Sequence, residues 1–156
     1  MLKRTAIILV ASTRAAAGIY EDRSGPILEE FLSAHGLHVT RQVLPDAQLA
    51  DALPTALSTH PDVLLISGGT GITPDDRSVE ALAPHLDLEL PGVAHAFYGV
   101  SAAVATAALS RTVAGIAGRT FCWAIPGSTG AAKDACRVLE PLLEHLLNQL
   151  EGNRDH

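Results

Sequence analysis

Aromatic residues are scarce, at 4% of a 156-residue chain that is 47% hydrophobic. A core must therefore be built mostly from Ala, Leu, Val and Ile, as in layered α/β packing, and a large aromatic interface is not favoured. Lysine is nearly missing: only Lys3 and Lys133 occur, and the net charge is −6. A general nucleic-acid binder needs a basic face, so no nucleic-acid partner is expected. Any phosphate site has to draw positive potential from backbone N–H groups, helix N-termini, a few arginines and a metal. Cysteine is limited to Cys122 and Cys136, too few for a disulfide scaffold or a zinc cluster. They read as two small buried hydrophobes in a reducing cytoplasm, which sets the expected localisation. No apolar run is long enough to cross a membrane, so no membrane partner is expected. Lys3-Arg4 before an apolar stretch imitates a secretory signal, but the stretch is short and Arg14 interrupts its continuation. A first core strand is the better reading.

What is present is an alternation of strand and helix signals with no long linker and no repeat. The length suits one domain over residues 1–156. Residues 5–12 read as a strand. Ser24-Gly25-Pro26 opens a helix, with Ser24 as its cap, and Gly36 ends it. His38–Leu44 alternates as a second strand, and residues 47–57 read as helical despite Pro54. Residues 62–67 form an apolar third strand, followed by a short helix over 78–86. Residues 89–99 are irregular, and the alanine-rich stretch 100–109 is helix-prone. Residues 119–125 are another strand. A last helix carries Cys136, Leu139, Leu143, Leu146 and Leu150 on one stripe, with a kink expected at Pro141. This pattern predicts a mostly parallel sheet covered by helices on both faces.

The most informative segment is Ser67-Gly68-Gly69-Thr70-Gly71-Ile72-Thr73-Pro74-Asp75-Asp76. Three glycines in four residues allow close backbone approach to a ligand and expose N–H groups. Asp75 and Asp76 offer hard oxygens to a hard cation. The loop is not a Walker A, and Pro74 breaks the Rossmann fingerprint. A plainer role for Asp76 is capping the next helix, and Asp46 in Leu44-Pro45-Asp46 has the same alternative. Pro126-Gly127-Ser128-Thr129-Gly130 fails as a nucleophile elbow, because Pro126 occupies the first glycine position. It reads better as a second anion cradle at a helix N-terminus. The seven histidines show no metal-ligand spacing. Ligands of such sheets bind beyond the carboxyl ends of the strands. That rule gathers Ser12-Thr13-Arg14, Asp46, the glycine loop and the turn at residues 127–129 on one edge.

Several stretches, in order and spacing, resemble the MoaB/Mog family of molybdenum-cofactor biosynthesis proteins, the molybdopterin adenylyltransferases. They are the segment from Ser12-Thr13-Arg14 to Asp22-Arg23-Ser24-Gly25, then Leu44-Pro45-Asp46, the glycine loop with Asp76, Leu109-Ser110-Arg111-Thr112-Val113-Ala114-Gly115, and Ile125-Pro126-Gly127-Ser128. The similarity runs over about residues 5–150. It implies a three-layer α/β/α fold with a mostly parallel central sheet, in a homotrimer or homohexamer. The implied reaction is MgATP-dependent adenylylation of molybdopterin with release of pyrophosphate. Asp46 and Asp76 match the family's catalytic and magnesium-binding aspartates. Gly68, Gly69, Thr70 and Gly71 match its phosphate loop. Ser12, Arg14, Asp22, Ser24, Ser110, Arg111, Gly127 and Ser128 match segments lining the pterin and nucleotide pocket. Two positions depart from the family pattern. Thr13 stands where some members carry Asp, and Pro91-Gly92-Val93-Ala94-His95 stands where Pro-Gly-Phe-Gly-Glu is common. The change to His95 motivates an alternative function, a carrier or regulatory member that binds molybdopterin without turnover.

Overall fold

The computed structural model describes residues 3–152. Its centre is a six-stranded sheet: β1 (Thr5–Ala11), β2 (His38–Leu44), β3 (Val63–Ser67), β4 (Leu88–Glu89), β5 (Val113–Ala117) and β6 (Thr120–Ile125). The strand order is β2-β1-β3-β6-β5-β4. β2, β1, β3 and β6 are mutually parallel. β5 pairs antiparallel with both β6 and β4, so it alone runs against the rest. The helices are α1 (Thr13–Ala16), α2 (Ser24–Ala34), α3 (Leu49–Ser58), α4 (Ser78–Leu82), α5 (Pro91–Val100), α6 (Thr129–Leu139) and α7 (Leu143–Leu150).

Side chains alternate across the sheet, and each face meets its own helices. Ile8, Val10, Val63, Leu65, Phe121, Trp123 and Ile125 pack with Leu28 and Leu32 of α2, Phe97 of α5, and α6 and α7. Leu9, Ala11, Leu64, Ile66, Cys122 and Ala124 pack on the opposite face with Leu49 and Leu53 of α3 and Leu82 of α4. This is the expected three-layer arrangement, with an aliphatic core. Each fully buried Leu or Ile contributes about 1.5–3 kcal/mol of transfer free energy. The single tryptophan is fully buried, edge-on to Phe97 at 5.9 Å, and its indole N–H donates to Thr112 Oγ1 at 2.8 Å. Cys122 is buried and Cys136 half-buried, both unpaired; desolvation pushes their thiols up to about 12 and about 11. No helix among the described residues is long and apolar enough to cross a membrane.

Several local expectations are corrected. Ser24 does not cap α2. Asp22 does, with its Oδ1 accepting the Gly25 N–H at 3.0 Å, while the Ser24 hydroxyl shares a hydrogen bond of 2.8 Å with Ser67. Residues 89–99 are not irregular but hold α5, with Pro91 at the first helical position, where a missing N–H costs nothing. The stretch expected as a helix over 100–109 has only Val100 in one, as the last residue of α5; the rest forms turns and a 3₁₀ segment, Ala105–Leu109, none of whose residues is buried. Alanine gave that stretch propensity but no apolar stripe to pack. The kink expected at Pro141 is a full break between α6 and α7, because proline has no N–H to continue the ladder. β5, rich in Ala and Gly, carries little strand propensity of its own. A Cβ at Gly115 would collide with the Leu88 carbonyl oxygen.

Candidate functional site

β1, β3 and β6 end side by side at their carboxyl edge, and the loops that leave them enclose a cavity of about 950 Å³. Ser12, Arg14, Asp22, Ser24 and Asp46 line one side. Gly68, Gly69, Thr70, Gly71, Asp75 and Asp76 line another, with Ser110 and Gly127 closing the wall. Two expected lining residues, Arg111 and Ser128, do not reach the lining. Ser128 is spent as the cap of α6, its Oγ accepting the Ala131 N–H at 3.0 Å. His95 is exposed on α5 and is also outside the lining.

The glycines serve the protein itself first. Gly68 and Gly69 have φ of +100° and +74°, conformations that L side chains rarely adopt. A Cβ on Gly68 would lie 2.5 Å from the Ala11 carbonyl oxygen, and one on Gly69 would collide with the Ser78 hydroxyl. On Gly71 it would lie 2.6 Å from Asp76 Oδ2. So the loop is glycine-rich because strand ends, Ser78 and Asp76 crowd it, not because a ligand alone must approach. The consequence still favours a ligand: the N–H groups of Gly69, Thr70 and Gly71 find no acceptor among the described residues. Three successive unused donors at the end of a buried strand are the elements of an anion cradle.

Neither aspartate is a helix cap. α4 starts after Arg77 without a side-chain cap bond, and the 3₁₀ turn at Asp46–Gln48 starts after Pro45 likewise. Asp46 Oδ2 instead accepts from Thr13, at 2.8 Å from the hydroxyl and 3.2 Å from the N–H, while the Thr13 hydroxyl accepts the Asp46 N–H at 3.1 Å. Asp76 Oδ2 accepts from Thr73, at 2.7 Å from the hydroxyl and 3.0 Å from the N–H. In both carboxylates every bond goes to Oδ2, which leaves Oδ1 to a ligand. Thr73 and Tyr20 are functional candidates that sequence reasoning misses, and Thr13, which it gathers at this edge, receives no role there. The available signal is a hydroxyl residue placed to meet each aspartate. Tyr20 is the one aromatic side chain in the lining, and its hydroxyl lies 2.7 Å from Ser12 Oγ.

The lining contains five carboxylates (Glu21, Asp22, Asp46, Asp75 and Asp76) but only two cations, Arg14 and Arg23. A polyphosphate entering this field needs a counter-ion. No group of three or more metal-ligating His, Cys, Asp or Glu residues exists among the described residues. That fits magnesium, which is bound through one or two carboxylates together with substrate phosphates. The all-oxygen donor set suits it as well.

The fold and cavity define a class: a three-layer α/β/α protein with a cavity at the carboxyl edge of its sheet, lined by unused backbone donors and several carboxylates. Residues 7–145 match the family model of the probable molybdopterin binding domain, so the chain belongs to that family, which contains the MoaB/Mog proteins of molybdenum cofactor biosynthesis. It is 39% identical over 155 residues to a molybdenum cofactor biosynthesis bifunctional protein from Chlorobaculum tepidum. That match covers 96% of this chain and 49% of the relative, so the chain spans about half the length of its bifunctional relatives. A molybdopterin adenylyltransferase from Pyrococcus furiosus is 32% identical, with 90% of this chain and 87% of that one covered. The structure of the Mog protein from Mycobacterium ulcerans is 37% identical and superposes with a TM-score of 0.91 over 97% of this chain and 99% of that one.

Proposed function

We propose that this protein catalyses MgATP-dependent adenylylation of molybdopterin. A phosphate oxygen of molybdopterin forms a bond to the α-phosphorus of ATP. The bond from that phosphorus to its bridging oxygen breaks, and the oxygen leaves with the electron pair on pyrophosphate. Both reactants are anionic, so the protein's task is positioning and charge neutralisation. The N–H groups of Gly69, Thr70 and Gly71 donate to phosphate oxygens. Asp46 and Asp76 are the residues that would hold Mg²⁺, which would supply charge to offset that of the polyphosphate. Thr13 and Thr73 keep each Oδ2 engaged, so each carboxylate is fixed before substrate arrives. Ser12, Arg14, Ser24, Ser110 and Gly127 shape the remainder of the cavity, and Asp22 holds its wall through the cap of α2 and its pair with Arg41 at 2.8 Å.

The single observation that carries this reading is an acid-rich cavity that also presents three unused backbone donors. It suits a polyphosphate only when a cation comes with it. The test incubates purified protein with molybdopterin, ATP and Mg²⁺. The expected result is adenylylated pterin and pyrophosphate in equal amounts. Failure to form the product, while an active relative does so in parallel, contradicts it. The second reading is a non-catalytic molybdopterin carrier, motivated by His95. Since His95 lies outside the cavity lining of the single chain, the catalytic reading is favoured. Tight pterin binding without ATP consumption supports the carrier, and restored turnover in His95→Glu assigns the cause. A homotrimer or homohexamer in the cytoplasm belongs to the same proposal. Exposed Val104 and Leu109 supply apolar surface for assembly, and light scattering that reads a monomer contradicts it.

A further inference from the structure

The family resemblance puts Arg111 in a segment lining the pterin and nucleotide pocket, yet its side chain is committed elsewhere. Its Nε donates to the Gly71 carbonyl at 2.9 Å and its Nη2 to the Asp76 carbonyl at 3.1 Å. Its Nη1 pairs with the Glu80 carboxylate. The Arg111 backbone N–H donates to the Thr70 carbonyl at 2.8 Å. Gly71 and Asp76 are the two ends of the loop that carries the Asp76 carboxylate. Each of the three guanidinium nitrogens thus spends an N–H on the loop or on Glu80, and the side chain stays outside the cavity lining. Glu80 reinforces the arrangement: the Arg111 hydrogen bond holds its carboxyl below the ordinary glutamate value.

We propose that Arg111 is a positioning residue: it clamps the two ends of the 71–76 loop and so fixes Asp76 for metal, without touching substrate. The proposal rests on the magnesium reading above. Lysine cannot replace the clamp, because one ammonium cannot bridge two carbonyls and a carboxylate in the geometry of a planar fork.

The experiment titrates a non-hydrolysable ATP analogue into wild type and Arg111→Lys by calorimetry, once with Mg²⁺ and once with EDTA, after melting curves have shown both proteins folded. The expected result is an affinity loss of about 10–100-fold with Mg²⁺ and none in EDTA. An equal loss in both buffers means direct phosphate contact and overturns the proposal, as does an Arg111→Lys protein that keeps its full gain from Mg²⁺. A wild type with no gain from Mg²⁺ overturns the magnesium reading itself. Glu80→Gln provides a second variant, since Glu80 is exposed and both carbonyl bonds remain. Its expected loss is smaller, about 2–5-fold, and also confined to Mg²⁺. A loss that persists in EDTA overturns the proposal.

Discussion

Asp46 and Asp76 line the same cavity but are fixed in opposite ways. Asp46 follows β2, and its carboxylate is tied to Thr13, a residue 33 positions away that opens α1 just after β1. Its place therefore depends on the parallel pairing of β1 with β2. Asp76 is tied to Thr73, only three positions away, inside its own loop. That loop is then secured from outside by Arg111, which lies just before the reversed strand β5. One carboxylate is placed by the sheet and the other by a turn with a strap. A local turn is the weaker device, which explains why the Asp76 side carries the additional cation.

The largest effects should come from the carboxylates themselves. Asp46→Asn and Asp76→Asn are each expected to lower turnover by about 10²–10³-fold with an unchanged circular dichroism spectrum. Activity retained in only one of them would assign the metal to the other. Next comes Gly69→Ala, which has to place a methyl group against Ser78 at a left-handed φ. Its expected cost is about 1–3 kcal/mol of stability, read from denaturant unfolding, with turnover lowered as well. Thr13→Val and Thr73→Val then test the two tethers against each other. The Thr13 hydroxyl makes two bonds to Asp46, whereas the Thr73 hydroxyl makes one to Asp76, whose backbone Arg111 also holds. Thr13→Val should cost about tenfold in kcat and Thr73→Val about threefold. The reverse order would show that Thr73, and not the Arg111 strap, is what holds Asp76 in place.

The smallest effect is in pH. Glu80 is depressed by Arg111, so its contribution to stability is complete above the usual glutamate value of 4.5 and is lost as pH falls through the lower folded value. The melting curves of wild type and Glu80→Gln should therefore differ near neutral pH and converge in acid. Parallel curves down to low pH would remove Glu80 from the clamp.

In the parallel half of the sheet, β1 and β3 are legible in the sequence because they are buried and written in Val, Leu and Ile, and the exposed edge strand β2 is legible by its alternation. His38–Leu44 has the expected bounds, and the third strand is one residue shorter than expected. The reversed half is not legible. β5 takes its conformation from its neighbours on both sides, and α5 opens on Pro-Gly, which reads as a breaker. The candidate site is legible in the same measure. Asp46, Asp76 and the glycine loop stand out because they follow strands whose carboxyl ends meet at one edge of the sheet. Arg111 stands out too, but its role does not. A guanidinium can grip a ligand or the chain itself, and only tertiary contacts decide which. Thr13 and Thr73 are silent for a similar reason, since a surface threonine carries no signal until its partner is known.

In the proposed reaction both carboxylates act on one metal-bound nucleotide. The most direct test is ATP-analogue affinity, with and without Mg²⁺, in wild type, Asp46→Asn, Asp76→Asn and the double variant. The expected result is a gain from Mg²⁺ that each single change removes and that the double change reduces no further, since two ligands of one ion act as a unit. Losses that simply add, or a wild type with no gain from Mg²⁺, would contradict a shared site.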